Sequence, residues 1–388
     1  MNRNDTINDN LTDKFTQGVQ ERVISGGDLL SLGLGQPDFK VPELVVKETI
    51  SALIKGMSMY TSPLGIVELR EAISNNYSKL HDKIIDKNNI IITPGTRQAL
   101  LISLISILEP EDEVIIFSPY FSSYPAIVKI AHPYAKVVEY NFAPDSSEID
   151  FVRLEKLINN KTKIIISNFP HNPTGAILNK KSYEQLSSLI LKHKLFVISD
   201  EVYEKVVFGD GSYLLSQNDK LKDLLFLVSG FSKSYAMTGW RIGYIVFPEK
   251  FRNTISKISL HMNACTNTFI QYGAAKAFEV SDTYLVQNRN HLMINRDKLI
   301  NLLERYGLSF FYPKSGYFCF VNISKFNVKS NDFCYLLVKN EGVAITPGIA
   351  CGENWDDYVR ISFAVDEEVF QNAILRIEKF CKENIYIL

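Results

Sequence analysis

A lysine set among small residues, with a second cation at a fixed distance beyond it, is the part of this chain best suited to covalent chemistry. Residues 229–243 read Ser-Gly-Phe-Ser-Lys-Ser-Tyr-Ala-Met-Thr-Gly-Trp-Arg-Ile-Gly, which puts Lys233 and Arg241 in one glycine-bounded segment. An amine that forms and exchanges imines needs room at its backbone, and small neighbours such as Ser232 supply it. A cation such as Arg241 can hold an anionic group of the same ligand and disfavour protonation of the lysine. The chemistry indicated is that of an aldehyde that also carries an anion.

Other stretches could hold the rest of such a ligand. Residues 90–100, Ile-Ile-Ile-Thr-Pro-Gly-Thr-Arg-Gln-Ala-Leu, read as a strand, a tight turn at Gly95 and the opening of a helix. A helix opening offers unpaired N–H groups and the positive end of the dipole, so a phosphate there meets donors at Thr96 and Arg97. The glycines that a Walker loop or a G-x-G-x-x-G fingerprint requires are absent. Residues 195–204, Leu-Phe-Val-Ile-Ser-Asp-Glu-Val-Tyr-Glu, read as an apolar strand whose carboxyl end carries Asp200 and then Tyr203. A buried aspartate paired to a pyridine N–H keeps that nitrogen protonated, the state in which the ring accepts electrons. Residues 355–364, Trp-Asp-Asp-Tyr-Val-Arg-Ile-Ser-Phe-Ala, set Arg360 in an apolar strand, where its planar fork matches a carboxylate. Residues 114–124 end a strand in Ser-Pro just before Phe121, an aromatic able to cover one face of a flat ring. Residues 163–175 run from a strand into Pro-His-Asn-Pro-Thr-Gly, a loop stiffened by its prolines that carries Asn172.

In this order the stretches resemble those of class I/II pyridoxal-phosphate-dependent aminotransferases, the aspartate-aminotransferase-like group of fold type I enzymes. The similarity runs from about Leu32 to Phe363. It implies pyridoxal 5'-phosphate as the cofactor, with Lys233 carrying the Schiff base and acting as general base. It further implies that Gly95, Thr96, Arg97, Ser232 and Arg241 take the phosphate, that Phe121 stacks on the ring, and that Asp200 holds the ring nitrogen. Asn172 and Tyr203 would share the phenolic oxygen. Arg360, with Asn172 and the backbone at Gly35 in the Gly-Gln-Pro-Asp segment 35–38, would take the substrate carboxylate. Tyr60, in the segment 59–70, matches a tyrosine that reaches the phosphate of a neighbouring subunit, which implies a homodimer with shared active sites. Two positions depart from the pattern. Gly230 stands where relatives often carry a Ser or Thr phosphate donor, shifting weight onto Arg241, Thr96 and Ser232. His171 stands where they usually carry Asn or Ser.

The activity implied is transfer of the amino group of an L-amino acid to a 2-oxo acid, 2-oxoglutarate, in a ping-pong cycle. The same fold hosts carbon–sulfur β-lyases, which release pyruvate and ammonia, and fold does not fix reaction. A ligand-sensing transcription regulator of this fold would need an added DNA-binding domain, for which there is no room before Leu32. No further arginine stands out for a distal carboxylate, which tilts the expectation against a strict dicarboxylate donor, and the aromatics around Tyr120, Phe121 and Tyr124 suit cofactor stacking, core packing or an apolar donor alike.

These residues must be positioned by an alternating chain. Short β-rich runs at Ile90, Val114, Ile164, Phe196, Leu225 and Ile242 are separated by helical patterns, as at Ser182 to His193, where Ser182 and Gln185 suggest a capping box. Alternation predicts an α/β fold: a mainly parallel sheet between helices, with its ligand at the strand ends. Beyond Ser281 a long helix to about Gly307, strands near Phe318, Val343 and Arg360 and a terminal helix from Asp366 predict a smaller α+β domain. With the N-terminal segment joined to it by family resemblance, the division is 46–284 for the large cofactor domain and 1–45 with 285–388 for the discontinuous small one. At 388 residues the chain exceeds one small core. A net charge of −1 gives no field for nucleic acid or an anionic membrane. The five cysteines are scattered without metal-ligand spacing and fit a reducing compartment. Met1 to Asn10 lacks the apolar core of a secretion signal, and no run reaches a membrane span, so the expected location is cytoplasmic.

Overall fold

A computed structural model describes residues 13–81 and 84–384; the Met1 to Asn10 stretch lies outside them. Seven strands form the main sheet in the order Ile90–Thr93, Gly243–Val246, Leu225–Gly230, Phe196–Asp200, Thr162–Ser167, Glu113–Ser118 and Lys136–Asn141. Gly243–Val246 runs antiparallel to both its neighbours, and the other pairs are parallel. Helices cover both faces, which is why the central strands are continuous apolar runs rather than alternating ones. Ile90, Ile91, Val114, Ile115, Ile164 and Ile165 are fully buried. The Thr96–Ile107 helix is apolar nearly all round because it is packed on the sheet, with Ala99, Leu100, Ile102, Leu104 and Ile107 buried.

A second sheet has the order Thr346–Pro347, Tyr358–Ser362, Phe318–Asn322 and Phe310–Phe311, antiparallel throughout. It has its own core, in which Leu299 and Leu303 from the Asp282–Arg305 helix and Phe370 and Phe380 from the Glu367–Asn384 helix meet Val321 and Ile361. The N-terminal segment is stitched to this part. Leu30–Ser31 pairs in parallel with Val343–Ala344, and the Ser362 N–H donates to the Leu32 carbonyl at 2.8 Å. On these contacts we propose the division 46–284 and 1–45 with 285–388.

Three local expectations change. The Lys180–His193 helix begins one turn earlier than a Ser182 cap would allow: Asn179 is the N-cap, its side chain accepting from the Ser182 N–H at 2.9 Å. Asn caps about as well as Ser, and here Ser182 is already inside the helix, its hydroxyl turned back to the Asn179 carbonyl. The run at Ile242 becomes the one reversed strand. Lys136–Asn141, which no apolar run announces, is an edge strand with mixed burial.

Candidate active site

A cavity of about 840 Å³ opens at the carboxyl ends of the parallel strands, where the second sheet leans over the first. It is lined by Gly35, Thr96, Arg97, Phe121, Asn172, Asp200, Tyr203, Ser232, Lys233, Arg241 and Arg360, eleven of the thirteen residues singled out in the sequence. Gly95 and Tyr60 are the other two. Gly95 lies directly behind Arg241; Tyr60 is 88% exposed and lies away from this cavity.

The phosphate end follows from backbone geometry. Gly95 is the N-cap of the Thr96–Ile107 helix with φ +84°, a left-handed conformation that favours glycine. A Cβ there would stand 2.3 Å from Arg241 Nη2, so glycine lets the guanidinium lie against the helix opening. Gly243 permits the same close approach: its Cβ would meet the Thr96 nitrogen at 2.9 Å. Arg241 is itself held by a hydrogen bond from Nη1 to the Thr238 carbonyl at 2.8 Å. Thr96, Ser232 and Arg241 thus line the cavity beside a helix opening, a setting suited to an anion. Arg97 leans over the Phe121 ring, 5.4 Å from its centroid.

Lys233 sits between the two ends of the cavity. Its ammonium donates to the Gly35 carbonyl, and the Tyr317 hydroxyl donates to the Lys233 carbonyl, fixing the loop that carries it. A Cβ on Gly35 would stand 2.6 Å from Phe318, so this approach of backbone to lysine requires glycine. Burial, and then the charge of Arg360, lower the Lys233 pKa to about 8; Asp200 pulls the other way, and Arg97 and Arg241 add smaller lowering effects. About a tenth is therefore the neutral amine at pH 7.

Asp200 ends its strand fully enclosed. Tyr124 donates to its Oδ2 at 2.7 Å, while Oδ1 is buried without a partner among the described residues. Burial raises its pKa to about 6, opposed by the Tyr124 hydroxyl, the Val202 N–H and Lys233. A bare buried carboxylate oxygen is costly unless something pairs with it, and a protonated ring nitrogen would. Tyr203 is likewise buried, which pushes its hydroxyl upward in pKa and keeps it a neutral donor.

Arg360 occupies the opposite wall. Nη1 donates to Asn172 Oδ1 at 3.2 Å, and Nη2 donates to the Gly33 carbonyl at 2.8 Å and to Thr346 Oγ1 at 3.2 Å. Its Nε is a second buried group without a partner, here a donor, and its guanidinium lies 4.1 Å from the Phe318 ring centroid. Because Arg360 occupies Asn172 Oδ1, the Asn172 amide turns its NH2 away, free to donate to a ligand. The residues fit pyridoxal phosphate: an orphaned acceptor for the ring nitrogen, an anion receptor for the phosphate and an amine between them.

Sequence reasoning missed Asn168, Tyr317, Phe318 and Thr346. Asn168 ties two strand ends together, its Nδ2 donating to the Asp200 carbonyl and its Oδ1 accepting from the Asn172 N–H, each at 2.9 Å. Its position just past a strand end was the available signal. Phe318 and Thr346 come from the second sheet and Tyr317 from the residue just before it, and nothing local to them announces that the chain brings them to this cavity.

Known proteins give the same answer. The sequence profile of the aminotransferase class I and II family matches residues 27–377. The chain is 37% identical to the aspartate aminotransferase of Thermotoga maritima over 359 residues, 92% of each chain. It is 36% identical to aromatic-amino-acid aminotransferase 2 of Thermococcus litoralis, again over 92% of each. Its fold superimposes on a single mutant of Thermus thermophilus aspartate aminotransferase with a TM-score of 0.92, at 30% identity and 98% coverage of both chains. The chain belongs to the class I and II aminotransferases.

Proposed function

We propose that this enzyme moves the amino group of an L-amino acid to 2-oxoglutarate, with pyridoxal phosphate held by Lys233. The observation that carries the reading is the pair of orphaned buried atoms on either side of Lys233, one acceptor on Asp200 and one donor on Arg360. They match the two ends of the chemistry, a cationic ring nitrogen and an anionic α-carboxylate.

The cofactor, when bound, supplies an electron sink that lets the Cα proton of the amino acid leave. Asp200 keeps the ring nitrogen protonated by presenting Oδ1 as a charged acceptor, and Tyr124 keeps Oδ2 from rotating into its place. Gly95, Thr96, Arg97, Ser232 and Arg241 anchor the phosphate, and Phe121 covers one ring face. Asn172, through its NH2, and Tyr203, through its hydroxyl, hold the phenolic oxygen. Arg360 binds the α-carboxylate beside Gly35, which orients the Cα–H bond toward Lys233. Once the substrate's amine had replaced it on the cofactor, Lys233 Nζ would be free to accept that proton and to give it back on the other side of the nitrogen.

We further propose a homodimer. Tyr60 and Met59 are 88% and 77% exposed, and Leu53 and Ile54 precede them on the Glu43–Ile54 helix, also exposed. An apolar surface of this kind marks an interaction site, and from it Tyr60 would reach the partner's phosphate.

The names of the relatives suggest aspartate and aromatic amino acids as first donors to try. Each would be added singly to the cofactor-loaded protein while the visible spectrum and the released products are followed. One equivalent of 2-oxo acid, with the spectrum restored by 2-oxoglutarate, is the expected result. Pyruvate and ammonia released catalytically from a cysteine conjugate without an acceptor would replace transfer by β-elimination.

A further inference from the structure

His171 precedes Asn172 in the loop that faces Arg360, and the reaction as described gives it no role. It is 2% exposed, and its surroundings are specific. The ring stands edge-on to Phe142 at 5.4 Å and tilted against Phe169 at 5.5 Å between centroids. Nδ1 lies 2.8 Å from Thr174 Oγ1, and that oxygen already receives the Ala176 N–H at 3.3 Å, which leaves the Thr174 hydroxyl proton for Nδ1. The Phe117 backbone, on the Glu113–Ser118 strand that leads to Phe121, favours the ring's protonated form, though burial outweighs it. The imidazole therefore closes its own turn through Thr174 and packs the loop against Phe142 beyond the neighbouring strand. Its main chain closes the same turn: the His171 N–H donates to the Ala176 carbonyl at 2.9 Å and the Gly175 N–H to the His171 carbonyl at 2.8 Å.

We propose that His171 is a positioning residue for the substrate-carboxylate site, a strut between Phe142 and the Thr174 turn that fixes where Asn172 meets Arg360. The inference rests on the reading of Arg360 as the carboxylate binder. The geometry favours this over simple core filling, because a filler of the same shape would not need the Nδ1 bond to Thr174. Asn172 accepts from Arg360 at 3.2 Å, so a shift of this loop by a fraction of an ångström reaches the guanidinium directly. Lys233, which takes the proton, stands on another segment, and the loop reaches Asp200 only at its main-chain carbonyl, through Asn168. The strut therefore acts on carboxylate affinity more than on proton transfer.

The test uses the cofactor-loaded protein and maleate as an unreactive carboxylate probe, with KM and kcat for L-aspartate beside it. His171→Phe keeps the ring volume and removes the hydrogen bond to Thr174. It is expected to raise the maleate Kd and the aspartate KM about tenfold with kcat changed less than about threefold. His171→Asn, which can restore an acceptor toward Thr174, should recover most of the loss. Should His171→Phe not fold, Thr174→Val reads the same contact and is expected to weaken maleate by about threefold to fivefold. Arg360→Lys serves as the reference for the site. If Arg360→Lys weakens maleate while His171→Phe and Thr174→Val leave it within about twofold, the strut is refuted and the carboxylate site stands. If Arg360→Lys leaves maleate binding unchanged, the site reading fails and the strut fails with it.

Discussion

Replacing Lys233 by methionine in the cofactor-free protein should make it more stable at neutral pH, and the gain should vanish in alkali. The folded pKa of Lys233 is about 8 against an ordinary value of 10.5. A difference of about 2.5 units corresponds to roughly 3 kcal/mol at 1.36 kcal/mol per unit. The sign follows from linkage: a base with a depressed folded pKa gives its full contribution to stability above the unfolded pKa and loses it as pH falls through the folded one. Near pH 7 the folded protein therefore bears the cost of an enclosed ammonium, which Lys233→Met removes. Lys233 is half-buried by surface area and faces the cavity, so solvent screening reduces the gain to about 1–3 kcal/mol. Loss of the bond to the Gly35 carbonyl works in the same direction as that reduction. Urea unfolding of both cofactor-free proteins, at one protein concentration because association shifts apparent stability, measures the difference. The gain should shrink between about pH 8 and pH 10.5. A variant less stable at pH 7, or a difference that is flat across that window, would refute the electrostatic account of the lysine.

The remaining predictions concern the cofactor and substrate contacts. Asp200→Asn should lower kcat by about 10²-fold or more with KM little changed, because a neutral amide no longer holds the ring nitrogen protonated; steady-state kinetics at saturating cofactor would show it. Gly95→Ala forces a Cβ to within 2.3 Å of Arg241 Nη2 at a φ of +84° and should weaken cofactor binding by about tenfold or more in equilibrium titration. Cofactor uptake by the cofactor-free protein should quicken as pH rises through about 8, the region where Lys233 becomes the neutral nucleophile, and a rate flat in pH would count against it. Asn179→Ala should cost about 1 kcal/mol in urea unfolding, and Ser182→Ala less, since Asn179 is the cap.

Much of the site was legible because cofactor chemistry constrains short segments. Lys233, Asp200 and the Gly95 turn each lie where a strand end or helix opening is written in the local sequence, and their residue types follow from the ligand's charges. The second sheet was legible as elements and not as a wall of the site. Phe318, Thr346 and Tyr317 act through contacts across long stretches of chain, and periodicity carries no information about which strand faces which loop. The Asn179 cap was missed for a simpler reason: a Ser three residues before a Gln imitates a capping box, and an equally good Asn cap stood three residues upstream. Lys136–Asn141 was missed because an edge strand with mixed burial has no continuous apolar run. His171 was noticed in the sequence as a departure, yet its partners Phe117, Phe142 and Thr174 come together only through the packing of three segments.

The central claim is that Lys233 is the residue that holds the cofactor. Borohydride reduction of the cofactor-loaded protein, followed by proteolysis and mass mapping, tests it directly. The account predicts that the added mass of the reduced cofactor lies on the peptide containing Lys233 and is lost from that peptide in Lys233→Met. The same mass found on another lysine, or retained at equal occupancy in the variant, would contradict it.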